Sequence, residues 1–280
     1  MERNVLYSIM LELSPQQNAT IPATMGHQAH ALFLNLIQQF DVSLFTRLHD
    51  QAGPRPFTVS FLHNVQKEGE RIFLQAGQSC ALRITLFDSG EIWHALRTYF
   101  LEAGTINVQL GHVQLQLKRM LSTPSSDPTG WVRSTSWETL ASLPAQHAIT
   151  MHFLSPTAFS MGKREFVLVP KPNLLWESLM RVWNAHTPPD LRLERQPLSQ
   201  YITEHVIVTD CKLTTATLHF PGFDQKGFLG TCTYLLQEQH SYVAQLTALA
   251  AFAYYAGVGY KTTMGMGQAR AEFAESAETE

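Results

Sequence analysis

The chain has 280 residues, 45% of them hydrophobic and 15% charged, a composition that excludes wholesale disorder and allows two domains of roughly 100 to 150 residues. Its formal net charge is −3, so binding of a polyanion would need a local basic patch. The three cysteines form no CxxC pair, which argues against a structural zinc or a disulfide framework. No secretory signal or membrane-length apolar run is visible, so we expect a soluble cytoplasmic protein with no membrane partner.

The first half of the chain alternates between strand and helix patterns. Residues 4–13 alternate apolar and polar positions as a strand does. Residues 20–40 change to helical spacing, which predicts one apolar face formed by Leu32, Phe33, Leu36, Ile37 and Phe40. Three short strands, a helix and a closing strand follow at 55–64, 70–77, 80–88, 89–104 and 111–120. The order β-α-β-β-β-α-β predicts a ferredoxin-like βαββαβ domain with one additional strand over residues 1–122.

The second half repeats this pattern without repeating the sequence. Residues 121–130, LSTPSSDPTG, concentrate turn-forming residues and predict a linker. Strands and helices resume in 131–272, so we expect an α+β fold of two tandem ferredoxin-like (RRM-like) domains with antiparallel sheets. Residues 273–280 are acidic and contain no base, which predicts a disordered tail.

A glycine-rich segment, GVGYKTTMGMGQ, occupies residues 257–268. It matches neither G-x-G-x-x-G nor the P-loop motif. One interpretation is a helix end followed by a bend. However, two Gly-apolar-Gly pairs separated by five residues predict a backbone that is approached closely, where amide groups and nearby side chains meet an anion such as a phosphodiester. The residues assigned to this surface are Gly257, Gly259, Lys261, Thr262, Gly265 and Gly267.

Together these blocks resemble the CRISPR-associated endoribonucleases of the RAMP superfamily, which process repeat RNA. Residues 257–267 are similar to the glycine-rich signature of that family, residues 26–62 to its first helix and following strand, and residues 153–184 to the start of its second domain. The resemblance implies two ferredoxin-like domains and metal-independent RNA cleavage without a cofactor. The ribose 2′-OH attacks the adjacent phosphate and leaves 2′,3′-cyclic phosphate and 5′-OH ends.

The resemblance also implies the catalytic residues. His49, in the sequence RLHDQAGPRPF, matches the general acid/base of the family, and Arg55 matches a basic residue that stabilises the phosphate. Some relatives add a tyrosine in the first helix, but this chain has none between Tyr7 and Tyr99. His30 is the expected substitute, with His27 as the alternative, although both have a structural interpretation as a solvated or capping pair.

RNA contacts are expected from basic pairs as well as from the glycine-rich segment. Lys163 and Arg164 follow a predicted hairpin that faces the RNA in this family. The implied partners are CRISPR repeat RNA and a CRISPR effector complex, for a monomer or homodimer. Two alternatives stay open: a noncatalytic repeat-RNA-binding subunit of the same superfamily, and an unrelated ferredoxin-like protein that binds a small molecule.

Overall fold

The computed structural model describes residues 4–88, 90–163, 165–220, 222–237 and 241–273, which form two compact units. Unit 1 comprises the residues up to Thr135 together with Thr262–Gly265, and unit 2 comprises Ser136–Lys261 together with the residues from Met266 onward. In the part of the chain that the structure describes, no helix is both long enough and apolar enough to cross a membrane.

The described residues of unit 1 form nine strands and three α-helices, and the strand at the centre of its main sheet, Val5–Pro15, is mostly buried. Its strands are β1 (Val5–Pro15), β2 (Ala19–Pro22), β3 (Phe57–His63), β4 (Gln66–Glu68), β5 (Arg71–Leu74), β6 (Cys80–Leu86), β7 (Ile106–Leu110), β8 (Val113–Leu121) and β9 (Arg133–Ser136). Its helices are α1 (Gly26–Phe40), α2 (Val42–Asp50) and α3 (Glu91–Glu102). The main sheet has the order β3-β6-β1-β8-β7, and β9 pairs with β1.

The predicted apolar face of α1 forms part of the core of unit 1. Leu32, Phe33, Leu36 and Ile37 are fully buried, because residues three and four apart project from one side of a helix. The path β1-α1-β3-β6-α3-β8, in which β1 pairs antiparallel with β6 and β8 and β3 pairs antiparallel with β6, is a ferredoxin-like βαββαβ unit. The fold predicted for this half is therefore confirmed.

Two details of unit 1 differ from the sequence prediction. The strand expected at residues 70–77 is β5, which belongs to a separate three-stranded sheet of order β2-β5-β4. The main sheet instead gains β7, which a two-residue turn at Gly111 and His112 joins to β8. Gly111 has φ +61°, the left-handed conformation that a tight hairpin turn requires and that glycine adopts without strain.

Residues 121–130, expected to link two domains, lie inside unit 1. Leu121 ends β8 and is buried, and Pro124–Ser126 forms a 3₁₀ turn. Asp127 is 6% exposed, and its carboxylate accepts hydrogen bonds from the backbone N–H groups of Trp131 and Val132. A composition typical of turns therefore folds into an ordered loop, because one buried carboxylate satisfies its backbone donors.

Unit 2 repeats the topology of unit 1. Its strands are β10 (Ala148–Thr157), β11 (Phe159–Gly162), β12 (Glu165–Val167), β13 (Val206–Phe220), β14 (Phe223–Leu236) and β15 (Ala269–Phe273). Its helices are α4 (Trp137–Ala141), α5 (Pro172–His186), α6 (Arg195–His205) and α7 (Ser241–Ala256). The sheet order β13-β14-β10-β15 and the path β10-α5-β13-β14-α7-β15 give a second ferredoxin-like unit, as predicted. Of the expected tail at 273–280, only Phe273 lies within the described residues, at the end of β15.

Candidate active site

His30 lies on α1, one turn after the exposed His27. Its neighbours Ala29 and Phe33 face the core, so the His30 side chain lies at the border between core and solvent. The imidazole stacks on the ring of Phe57, with centroids 5.8 Å apart. Its Nδ1 lies 3.2 Å from the backbone carbonyl oxygen of Thr263, in the glycine-rich segment.

Burial and nearby positive charge keep His30 neutral. Desolvation is the largest cause and lowers its pKa to about 4, whereas the hydrogen bond to the Thr263 carbonyl acts in the opposite direction. The charges of Arg55, His27 and His49 lower the pKa further. These groups are therefore close enough to interact electrostatically, and His30 can accept a proton at neutral pH.

His49 is the penultimate residue of α2, with its side chain 63% exposed. Its Nδ1 lies 2.9 Å from Oδ1 of Asp50. An ionised carboxylate can only accept a hydrogen bond, so Nδ1 is the donor and Nε2 is free to face solvent or a ligand. The ring also lies 5.6 Å from that of Phe45, one turn earlier on the helix. His49 thus presents an accessible ring nitrogen in a defined orientation.

Arg55 lies in the loop between α2 and β3 and connects this loop to His49. Its Nη2 donates to the carbonyl oxygen of His49 at 2.9 Å. Its Nη1 is buried without a hydrogen-bond partner among the described residues. Burial lowers the pKa of Arg55, and the charge of Asp50 opposes this effect. A guanidinium with an unsatisfied donor is suited to an anionic ligand, since such a donor is costly to leave unpaired.

These three side chains come from α1, the end of α2 and the loop before β3, all within unit 1. The structure thus places His30 near His49 and Arg55, while their catalytic roles stay a prediction. The two imidazole rings can supply a base and an acid, and the Arg55 guanidinium can stabilise negative charge.

The backbone of the glycine-rich segment is in the left-handed region at each of its glycines. The φ values are +65° at Gly257, +82° at Gly259, +85° at Gly265 and +70° at Gly267. The two Gly-apolar-Gly pairs face each other, because the N–H of Val258 donates to the carbonyl of Gly267 at 2.7 Å.

The close approaches at these glycines are made by protein atoms. A Cβ at Gly259 would lie 2.4 Å from the carbonyl oxygen of Ala158, and a Cβ at Gly265 would lie 2.7 Å from ring atoms of Phe61. Gly257, Gly265 and Gly267 are buried. The predicted close approach is therefore present, but protein rather than ligand occupies the space beside Gly259 and Gly265. Contact of these glycines with RNA stays a prediction.

Lys261 and Thr262 are half-buried at the centre of this segment. The Lys261 ammonium lies 4.8 Å from the ring centroid of Phe220 and 5.0 Å from that of Phe223, at the end of the β13–β14 hairpin. Burial lowers its pKa. The ammonium of Lys261 is thus already engaged by aromatic faces. Its predicted phosphate contact would have to coexist with these contacts.

Lys163 occupies the turn between β11 and β12, with φ +46° and an exposed side chain. Arg164, its predicted companion, lies outside the described residues. Both belong to the range of unit 2, whereas the three catalytic candidates belong to unit 1.

Sequence reasoning did not identify the Thr263 carbonyl as a partner of His30, nor Asp50 as a part of the site. Asp50 could have been noticed as the carboxylate next to His49. The Thr263 carbonyl has no sequence signal, because every residue has a carbonyl and this one lies 233 positions from His30. Within the described ranges, no three His, Cys, Asp or Glu side chains converge as metal ligands would.

Two family models match successive parts of the chain. Residues 5–142 match the model described as the CRISPR Cas6 N-terminal domain, and residues 151–269 match that of the CRISPR-associated endoribonuclease Cas6. Among curated proteins, a CRISPR-associated endoribonuclease Cas6 of Streptococcus thermophilus is 28% identical over 120 residues, which are 43% of this chain and 49% of that protein. The Cas6 of Mycobacterium tuberculosis is 27% identical over 130 residues, 46% of this chain and 40% of that protein. The match thus spans about half or less of these relatives.

Solved structures match nearly the whole chain. A Cas6 product complex has a TM-score of 0.77 at 28% identity and covers 96% of this chain and 100% of that one. A Cas6 of Thermus thermophilus has a TM-score of 0.71 at 27% identity and covers 97% of this chain and 100% of that one. A RAMP protein described as binding different RNA substrates is 15% identical with a TM-score of 0.58, a likeness that concerns the fold alone.

Proposed function

The chain belongs to the Cas6 family of CRISPR-associated endoribonucleases, and from this membership we propose that it is a cytoplasmic enzyme that cuts CRISPR repeat transcripts into guide RNAs. The observation that carries the proposal is the grouping of His30, His49 and Arg55 in unit 1, where Arg55 contacts the His49 carbonyl and both residues lower the pKa of His30. Relatives named as CRISPR-associated endoribonucleases support RNA as the substrate.

The proposed reaction needs no metal. The 2′-oxygen of one ribose attacks the adjacent phosphorus while the bond from phosphorus to the 5′-oxygen of the next nucleotide breaks. A base takes the proton of the 2′-OH, and an acid gives a proton to the departing 5′-oxygen. The products are a 2′,3′-cyclic phosphate and a 5′-OH, so atoms and charge balance without a co-reactant.

The geometry favours a division of roles between the two histidines. His30 is neutral at working pH because burial and nearby charge lower its pKa to about 4, so it suits the base. His49 is exposed and oriented by Asp50, so in its protonated form, with a hydrogen on each ring nitrogen, Nε2 can deliver a proton to the leaving oxygen. The unpaired Nη1 of Arg55 would bind the phosphate as negative charge builds up on its oxygens.

RNA binding would extend beyond these three residues. We propose that Lys163, Arg164 and the glycine-rich segment, with Lys261 and Thr262, contact the repeat, and that the product is passed to a CRISPR effector complex by a monomer or homodimer. The second candidate is a noncatalytic repeat-RNA-binding subunit. The observation that favours it is the absence of a tyrosine from the first helix.

The test uses purified protein, labelled RNA of the repeat from its own locus, and EDTA. We expect cleavage at one site with a cyclic phosphate end, and a rate about 10² to 10⁴ times lower for His49→Ala with RNA affinity retained. His112→Ala is the matched control, because His112 is an exposed histidine in the β7–β8 turn of the same unit. Tight binding without cleavage by the unmodified protein would instead support the noncatalytic subunit.

A further inference from the structure

The hydrogen bond between His30 and the glycine-rich segment determines which ring nitrogen of His30 carries the hydrogen. The Thr263 carbonyl oxygen, 3.2 Å from Nδ1, has no hydrogen to donate. Nδ1 must therefore be the donor, and in the neutral ring the lone pair belongs to Nε2. We propose that Thr262–Gly265 is a positioning segment whose Thr263 carbonyl holds His30 in the Nδ1–H tautomer and so presents Nε2 as the proton acceptor.

A glycine at the start of α1 allows this segment to come close. A Cβ on Gly26 would lie 1.8 Å from the carbonyl oxygen of Met264 and 2.7 Å from its carbonyl carbon. These are backbone atoms, which cannot turn away as a flexible side chain could. Met264 follows Thr263 directly, so any side chain at position 26 displaces the peptide group next to the one whose carbonyl bonds to His30.

The opposite side of the segment is equally close-packed. Gly265 has φ +85°, and a Cβ there would lie 2.7 Å from ring atoms of Phe61 on β3. Thr262–Met264 forms a 3₁₀ turn between these two approaches. The segment is therefore confined between the start of α1 and β3, while the His30 ring is held from another direction by Phe57. The direction of the carbonyl is a consequence of this packing.

The tautomer matters for a base because only the nitrogen without hydrogen can take a proton. With hydrogen on Nε2, the ring would present a donor to the substrate and could not start the reaction. In serine proteases, loss of the group that fixes the tautomer of the catalytic histidine is very costly to the rate. The catalytic part of this inference rests on the proposed function, whereas the tautomer itself does not.

The tautomer can be measured without RNA. We expect the ¹⁵N–¹H spectrum of the protein labelled at histidine, at pH 7.5, to show His30 with its hydrogen on Nδ1, the signal being assigned by its loss in His30→Gln. Gly26→Ala should convert this signal to a mixture of both tautomers. Gly104→Ala should leave it unchanged, because Gly104 has open space around its Cβ position, and Thr263→Ala should do the same, because it keeps the carbonyl.

A His30 signal from the Nε2–H tautomer in the unmodified protein would overturn the proposal, even if Gly26→Ala fails to fold. So would an unchanged His30 signal in folded Gly26→Ala.

Cleavage kinetics test the consequence for catalysis. Gly26→Ala should lower kcat by about 10-fold or more while KM for the repeat RNA changes by a much smaller factor, because the substitution misplaces a proton acceptor and removes no side chain that is proposed to contact RNA. A fall in affinity with kcat preserved would overturn the positioning role. If the unmodified protein binds the repeat but does not cut it, the proposed function fails. The tautomer assignment is then still decided by the ¹⁵N–¹H spectrum alone.

Discussion

His63, at the end of β3, is a second histidine whose pKa the fold lowers. Burial is the largest cause, the charge of Arg83 acts in the same direction, Asp127 opposes them, and the pKa falls from its ordinary value of 6.5 to about 4. Its Nε2 is buried without a hydrogen-bond partner among the described residues, and its ring lies 5.6 Å from that of Trp131. Nothing in the local sequence separates His63 from the other histidines, because these neighbours come from distant parts of the chain.

The lowered pKa predicts how stability depends on pH. Between about pH 6.5 and pH 4 the unfolded chain binds a proton at His63 that the folded chain does not, so the free energy of unfolding falls as pH falls. His30 contributes with the same sign. We expect urea denaturation to show a loss of about 1 kcal/mol or more between pH 7 and pH 4.5 that is attributable to His63.

The variant His63→Gln separates the contribution of His63 to the pH-dependent loss of stability from the contributions of all other titrating groups. Glutamine does not titrate, so the pH-dependent loss should be smaller in the variant, with the comparison at pH 7.5 measuring any cost of the substitution itself. An identical loss in the variant and the unmodified protein would contradict the assignment to His63.

At the scale of elements, composition predicted a linker where the structure has an ordered loop. Ser, Pro, Asp and Gly favour turns, and Pro124–Ser126 follows that local preference by forming a 3₁₀ turn. The Asp127 carboxylate orders the remainder of the loop, because it accepts hydrogen bonds from three backbone N–H groups. Burial raises the pKa of Asp127, but hydrogen bonds from Thr129, Val132 and Trp131 outweigh this effect and the pKa is lowered.

Replacement of Asp127 should therefore destabilise unit 1. Asp127→Ala leaves the N–H groups of Thr129, Trp131 and Val132 without their carboxylate acceptor, and we expect a loss of at least about 2 kcal/mol in the free energy of unfolding. Ser125→Ala, an exposed position in the same loop, is the control and should change it by less than about 0.5 kcal/mol. Equal stability of the two variants in urea denaturation would show that the loop does not depend on this carboxylate.

At the scale of the whole molecule, a near-neutral chain has to bind a polyanion through local charge. The formal net charge of −3 gives no general attraction to RNA. Each Lys or Arg that neutralises a phosphate releases counterions, so the affinity for repeat RNA should fall steeply with salt even though the molecule as a whole is not basic.

Replacement of Lys163 tests whether its positive charge contributes to this local attraction for RNA. Its side chain is exposed at the β11–β12 turn, and Lys163→Ala should reduce the slope of log affinity against log salt by about 1 if the ammonium contacts a phosphate. Lys67→Ala, an exposed lysine on β4 that is not assigned to RNA, should keep the slope of the unmodified protein. Filter binding of the repeat RNA across a salt series measures both. Equal slopes for all three proteins would show that Lys163 does not contact a phosphate of the RNA.

The sequence by itself determined the fold class, the predicted apolar face of α1, the two βαββαβ patterns and the family. These follow from periodicity and from motifs within about 40 residues, which are local properties of a chain. It also singled out His49, Arg55 and His30, through resemblance to a family rather than through physics.

Only the tertiary structure decided what surrounds those residues. The Thr263 carbonyl beside His30, the protein atoms that fill the space at Gly259 and Gly265, and the rings that hold Lys261 come from segments far apart in the chain. Local pattern cannot specify such neighbours, because burial, desolvation and hydrogen-bond direction arise only when distant elements pack. For the same reason, the neutral state of His30 and the direction of its Nε2 are properties of the fold.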